Sequence, residues 1–391
     1  MPEIQEFMKP AKKIETSPKE RALLVQLVHG RQDRDEAADS LLELERLADT
    51  AGAAVVGVIT QRRDRPTPNF LIGEGKLADV QLACRQAKAN MVIFDNELSP
   101  VQVNNIDLAI GIKVIDRTEL ILQIFARRAR SAESQVQVEL AQLEYLVSRV
   151  PVSERQARFS GGIGMKGPGE SPFQMRKAVM QRRMRDLKEK LKAIQQRSER
   201  TRVRRQWPLA CLVGYTNAGK STLLNTLAGS DAYVDDRLFA TLDTKTRMVY
   251  LAEGKNVLMA DTVGFIRNLP HGLVASFKST LDVAVNANLL LIVVDSDHMR
   301  SGDHLRVVHE TLKEIGADKV PSLLLLNKCD SPEAQKNLPD LVATHPDAIQ
   351  ISAMNGDGLD KVKQIMIERL AGIFEIGDKH PRWTRHTEIA E

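Results

Sequence analysis

Cysteine is scarce in this chain. Three residues (Cys84, Cys211, Cys329) are scattered over 391 positions, and one must stay unpaired, which argues against a disulfide scaffold or a cysteine-rich zinc site. Long apolar runs are missing as well: no stretch approaches the roughly 18–20 uninterrupted apolar residues of a membrane span. The first twenty residues mix Glu3, Glu6, Glu15 and Glu20 with Lys9, Lys12, Lys13 and Lys19. That start is neither a secretory signal nor an Arg-rich, acid-poor transit peptide. Internal repeats and low-complexity blocks are also absent. What is present is a 43% hydrophobic, 27% charged composition, able to bury real cores, in a length that suggests two or three domains at roughly 150 residues each. We expect a cytoplasmic monomer with no membrane span.

Charge is unevenly spread. From Arg176 to Arg205 thirteen Lys and Arg stand against Asp186, Glu189 and Glu199, a surplus of ten in a chain whose net charge is +4. The rest of the molecule is therefore mildly acidic. A basic block of this kind suggests a polyanion partner such as nucleic acid, with Arg182, Arg183 and Arg185 as candidate RNA-binding residues. A solvated helix face is the alternative reading of the same charges.

The pattern predicts an α/β protein in five parts. After a tail (1–20), residues 21–130 alternate apolar runs (Leu23–Val28, Ala54–Thr60, Met91–Phe94, Lys113–Ile115) with amphipathic helices. One of these opens at Ser99-Pro100. This is a small, mostly parallel α/β domain. Residues 131–205 hold two short coiled-coil periods, Val136-Leu140-Leu143-Val147 and Met180-Met184-Leu187-Leu191-Ile194. They flank Gly161–Gly164 and Gly167–Gly169, and we expect an antiparallel helical hairpin with a glycine-rich tip. Residues 206–376 return to strand–helix alternation, with strands at Leu209–Val213, Val257–Ala260, Leu289–Val294 and Ser322–Leu326. A polar tail (377–391) follows.

The last large segment carries the chemistry. Gly214-Tyr215-Thr216-Asn217-Ala218-Gly219-Lys220-Ser221 lies between a predicted strand and a predicted helix beginning at Thr222, and it fits the phosphate-binding loop. Its backbone N–H groups wrap phosphates, the helix N-terminus adds partial positive charge, Lys220 reaches the β- and γ-phosphates, and the Ser221 hydroxyl ligates Mg²⁺. Downstream, Asp261-Thr262-Val263-Gly264 ends a strand with a carboxylate near the magnesium and a glycine amide near the γ-phosphate. Phe239-Ala240-Thr241-Leu242-Asp243 offers Thr241 as the switch threonine. Asn327-Lys328-Cys329-Asp330 follows another strand, and Asp330 can accept two hydrogen bonds from guanine that adenine cannot donate. A buried carboxylate left unpaired costs more than a lost contact, so this selects GTP over ATP. Ser352-Ala353-Met354 would support the base from the other side. Together these residues point to a Ras-like P-loop GTPase domain, with Lys220, Thr241 and Gly264 as the hydrolytic residues.

With these motifs the chain resembles the HflX GTPases, of the Obg-like, translation-factor-related group. The resemblance spans roughly residues 20–375. It rests on Gly214–Leu223, Leu238–Asp243, Asp261–Arg267 followed by Leu269-Pro270-His271, and on Gly73–Lys76 and Val114–Arg117. Gln137–Leu143, Gly161–Gly164 and Gly167–Glu170 extend it outside the GTPase motifs. It implies a GTPase that binds the large ribosomal subunit and its rRNA near the peptidyl-transferase region and splits or rescues stalled ribosomes. The alternative is a regulatory GTP-dependent switch that binds another partner without remodelling ribosomes. Three departures stand out: Ser171–Arg176 replaces the family's usual Thr-Gln-Leu-Glu-Thr-Asp, Asp243-Thr244-Lys245 replaces Asp-Pro-Thr, and only residues 355–391 follow the Ser352 loop where many members carry a further domain.

Three positions refine the expectation. Phe265 stands where Ras-like GTPases place the glutamine that orients water, so hydrolysis by the free protein should be slow. Asn217 occupies the position where potassium-stimulated GTPases place an asparagine that helps hold K⁺. Gly73-Glu74-Gly75-Lys76 lacks the Ser/Thr and spacing of a phosphate loop, and reads as a left-handed turn before a helix.

Overall fold

The computed structural model describes residues 20–30, 33–149, 172–203, 207–230, 237–267 and 278–378. The chain divides into two compact units, Met1–Lys192 and Ala193–Glu391. Among the described residues no helix is long and apolar enough to cross a membrane.

The first unit alternates β1 (Arg21–His29), α1 (Arg34–Thr50), β2 (Ala54–Arg63), α2 (Glu74–Ala87), β3 (Met91–Phe94), α3 (Pro100–Ile110), β4 (Lys113–Asp116) and α4 (Arg117–Arg128). All strand pairs are parallel, in the order β2-β1-β3-β4. The central strands β1 and β3 are buried along their length. Strands covered on both faces have no reason to alternate, which is why they read as unbroken apolar runs. Ser99 starts α3 with a reciprocal capping box to Gln102, and Pro100 occupies the first turn, where its missing N–H costs nothing. Gly73 departs from expectation: it caps α2 in an extended conformation (φ −74°, ψ 153°) and its N–H goes to Gln61. The left-handed residue nearby is Leu71, at φ 65°.

A buried polar cluster closes the carboxyl edge of this sheet. Arg117, 2% exposed, pairs with Asp95 at 2.6 Å and Glu43 at 2.8 Å. Asp95 also accepts from Gln26 and Ser40. Burying a guanidinium is tolerable only because carboxylates and hydroxyls surround it.

Two further helices follow, α5 (Ala132–Arg149) and α6 (Pro172–Val203). The Tyr145 hydroxyl donates to the wholly buried Asp116 at 2.9 Å, and Arg149 pairs with the same carboxylate, so α5 is tied to the α/β sheet unit. Glu119 lies beside them, and burial, reinforced by Asp116 and opposed by Lys113, pushes its carboxyl up to about 7. Arg183 pairs with Glu139 and Lys188 with Glu144, so ion pairs on their flanks link α5 to α6. The expected glycine-rich tip lies outside the described residues.

The second unit contains β5 (Leu209–Gly214), α7 (Lys220–Leu227), β6 (Lys245–Ala252), β7 (Lys255–Asp261), α8 (Lys278–Val285), β8 (Leu289–Asp295), α9 (Ser301–Ile315), β9 (Ser322–Asn327), α10 (Ala334–Thr344), β10 (Ile349–Gln350) and α11 (Leu359–Asp378). Its sheet order is β10-β9-β8-β5-β7-β6, parallel except for the antiparallel edge pair β6–β7. Leu212, Leu291 and Leu325 from the central strands pack with Leu223, Leu224, Val362 and Met366 from the helices. Strands β5, β7 and β9 end at Gly214, Asp261 and Asn327, so three of the motifs meet at one carboxyl edge, where open α/β sheets bind ligands.

Candidate functional site

Strand β5 delivers the loop and α7 receives it. Gly219 caps α7 at φ 90°, and a Cβ there would lie 2.2 Å from the Asn327 side chain, so conformation and space both demand glycine. Asn217 at the loop tip is also left-handed (φ 61°) and its side chain is exposed, a conformation asparagine tolerates.

A cavity of about 500 Å³ opens above the loop. Thr216, Asn217, Gly219, Lys220, Ser221 and Thr222 form its floor, and Phe239, Ala240 and Thr241 one wall. Thr262, Gly264, Asn327, Lys328, Asp330, Ala353 and Met354 complete the set of expected residues that line it. Gly214, Tyr215, Ala218, Leu242, Asp243, Asp261, Val263 and Ser352 do not. Several of these act from behind: Ser352 is 1% exposed and its hydroxyl accepts from the Asn355 N–H, which shapes the Ala353–Met354 loop. Arg237 and Ser331 also line the cavity; neither carries a sequence signal that would have found it.

The polar atoms of the site are densely paired. Lys220 is buried and donates to the carbonyls of Gly214 (3.0 Å) and Tyr215 (2.6 Å). Burial lowers its pKa to about 8, although Asp261 pulls the other way. The hydroxyls of Ser221 and Thr241 both donate to Asp261 Oδ2, at 2.6 and 2.9 Å, and lie 3.0 Å from each other. Asp261 is wholly buried, and its Oδ1 has no hydrogen-bond partner among the described residues. Two hydroxyls and a carboxylate with an orphaned oxygen fit a small hard cation that prefers oxygen ligands.

Asn327 joins two loops. Its Nδ2 donates to the Ala218 carbonyl at 2.8 Å and its Oδ1 accepts from the Ala353 N–H at 2.9 Å. Lys328, left-handed at φ 64°, pairs with Asp295 at 2.6 Å. Asp330 is exposed at the cavity border rather than buried, which departs from the expectation of a buried carboxylate. Phe265 is 1% exposed and packs in the core. Its N–H goes to the Gly214 carbonyl and its carbonyl takes the Thr216 N–H.

The comparisons agree along the chain. Sequence models described as GTP-binding GTPase N-terminal, GTP-binding GTPase Middle Region and 50S ribosome-binding GTPase match residues 38–126, 128–205 and 209–328. GTPase HflX of Caldanaerobacter subterraneus subsp. tengcongensis is 43% identical, covering 90% of this chain and 80% of that protein. GTPase HflX of Escherichia coli (strain K12) is 40% identical, covering 90% and 83%. The chain belongs to the HflX family of GTPases. HflX proteins are GTP-binding enzymes that hydrolyse GTP, and the cavity above Lys220 is the nucleotide-sized space at the expected edge of the sheet. A crystal structure of SsGBP with GDP shares the fold, with a TM-score of 0.51 at 24% identity over 91% of this chain and 99% of that one.

On α6, the three arginines proposed for RNA separate. Arg183 makes a two-pronged contact to Glu139 (2.6 and 3.0 Å), and that hydrogen bond raises its pKa. All three are exposed, and Arg183 alone is shown in an ion pair across to α5.

Proposed function

We propose that this HflX-family GTPase binds the large ribosomal subunit through its rRNA and uses the GTP cycle to split or rescue stalled ribosomes. The observation that supports this reading is the basic outer face of α6, with Arg182 and Arg185 exposed, in a chain whose GTPase segment matches a model described as 50S ribosome-binding. A switch that only binds protein has no need of such a face.

At the nucleotide, loop amides from Asn217 to Ser221 hold the phosphates, and Lys220 exchanges its two carbonyl acceptors for phosphate oxygens. Ser221 and Thr241, with their hydroxyl oxygens, and Asp261, with its carboxylate, are the residues that would hold Mg²⁺. Magnesium, when bound, neutralises charge on the β- and γ-phosphate oxygens. The Gly264 N–H addresses the γ-phosphate, Asp330 takes the guanine edge, and Asn217 offers its side-chain oxygen to K⁺. With Phe265 packed in the core, no side chain at that position orients the attacking water, so the free protein is slow and the ribosome accelerates it.

The test is sedimentation with isolated subunits, followed by light scattering of intact ribosomes. Binding to the large subunit with a non-hydrolysable GTP analogue, and not with GDP, together with GTP-dependent loss of scattering, is expected. Binding without loss of scattering would favour the switch that remodels nothing. Absence of binding would overturn the ribosomal reading.

A further inference from the structure

Tyr215 is the second residue of the phosphate loop, yet its side chain faces away from the cavity and is 6% exposed. Its ring stacks on His304 of α9, with centroids 3.8 Å apart and planes 4° from parallel. Its hydroxyl accepts the backbone N–H of Arg267 at 2.8 Å. The Arg267 side chain, itself buried, reaches Asp303 of the same helix at 3.3 Å. Asp303 is also gripped by Arg300 and Arg306. Partial burial works to raise its pKa, but the three arginines together hold the carboxyl below its usual range.

These contacts surround the segment that must meet the γ-phosphate. Gly264 packs so closely on the phosphate loop that a Cβ would lie 2.8 Å from the Thr216 Cα and 3.0 Å from the Lys220 Nζ. On its upstream side the chain is fixed by strand β7. Downstream, Phe265 is bonded into the loop through Gly214 and Thr216. Among the described residues, α9 anchors the chain beyond it, through Asp303 on Arg267 and through the stack of His304 on Tyr215.

We propose that Asp303 and His304 are positioning residues for GTP hydrolysis, holding Gly264–Arg267 against the phosphate loop by way of Tyr215 and Arg267. Neither residue lines the cavity, so both act through others. The γ-phosphate is the only part of the nucleotide that the Gly264 amide addresses, so loosening this anchor should separate GTP from GDP. GDP affinity should survive, whereas GTP affinity and the hydrolysis step should decline together.

Full-length His304→Ala and Asp303→Asn are compared with the parent by fluorescent-nucleotide titration and single-turnover hydrolysis. His304→Ala removes the ring stack on Tyr215 and Asp303→Asn removes the charge that three arginines share, and at least a three- to tenfold drop in hydrolysis rate is expected. The GTP-to-GDP affinity ratio should fall in the same direction, with GDP affinity within twofold of the parent. His304→Phe, which keeps a flat ring against Tyr215, should restore both quantities. Tyr215→Phe keeps the stack and deletes the hydrogen bond to Arg267, so it should lower the rate on its own. Unchanged rate and ratio in His304→Ala and Asp303→Asn would overturn the proposal. So would an equal loss of GTP and GDP affinity, which marks a role in folding alone.

Discussion

Asn327→Ala should weaken GTP and GDP alike. The side chain is 2% exposed and makes two hydrogen bonds, 2.8 Å to Ala218 in the phosphate loop and 2.9 Å to Ala353 in the base-side loop. Truncation leaves a buried carbonyl and a buried N–H unpaired, at about 1–3 kcal/mol each. The empty protein can relieve part of this by letting the two loops separate and take up water. Nucleotide binding must then draw them together again, and that reversal appears as lost affinity. If about 2–4 kcal/mol is recovered in this way, at 1.4 kcal/mol per tenfold the loss is roughly 30- to 700-fold. Both nucleotides share the loops, so the ratio of their affinities should stay near the parental value. Titration with fluorescent GTP and GDP, alongside thermal unfolding to confirm a folded protein, measures this directly. Affinity within threefold of the parent would refute the reasoning, as would a loss confined to GTP.

Asp330→Asn replaces one acceptor at the cavity border with a donor, and should shift preference from GTP toward xanthosine triphosphate; unchanged GTP affinity would contradict the role given to it. Charge reversal at Arg182 and Arg185 should reduce ribosome association and flatten its salt dependence while leaving free-protein hydrolysis in place. Arg183 is best left out, because its pair with Glu139 holds α5 to α6. Asn217→Ala should abolish any preference for potassium over sodium in the hydrolysis rate, and a preserved preference would place the cation elsewhere. Glu119 binds its proton more tightly folded (about 7) than unfolded (about 4.5). Its contribution is therefore complete below about pH 4.5, is lost as pH rises toward 7, and totals up to about 3 kcal/mol. Glu119→Gln should remove that slope in denaturant titrations at pH 5 and pH 8, whereas parallel slopes would show that another group sets it.

The legible parts of the sequence were those whose physics is local. Central strands such as Met91–Phe94 and Leu289–Val294 are buried on both faces and declare themselves as apolar runs. The Ser99-Pro100 start needs only three neighbouring residues to make its cap. The phosphate loop and the strand ends at Asp261 and Asn327 were legible because each motif is short and its order along the chain is its signature. Strand β6 escaped because it is an edge strand with Met248 and Tyr250 exposed, although Gly254 between two alternating runs was a usable hairpin signal. Distance in sequence also hid the side chains that support the site: nothing near Tyr215 announces a ring on His304, 89 positions later.

The site is held together by groups that stand in for its ligands. Lys220, which would serve the phosphates, is held by two carbonyls, and the hydroxyls of Ser221 and Thr241, which would serve the metal, are held by Asp261. Such substitutions keep buried polar atoms satisfied, which would otherwise cost about 1–3 kcal/mol apiece. On the function proposed above, nucleotide and metal would then enter by exchange, bond for bond, rather than by filling an unpaired pocket. Exchange lowers the net gain from each new contact, but it spares the loop from collapse or reorganisation. Among the described residues that carry these exchanges, Asp261 Oδ1 is a buried acceptor without a substitute. The net electrostatic gain should therefore be largest where cation charge is brought toward that oxygen, which binds the metal, the switch threonine and the phosphate lysine into one cooperative step.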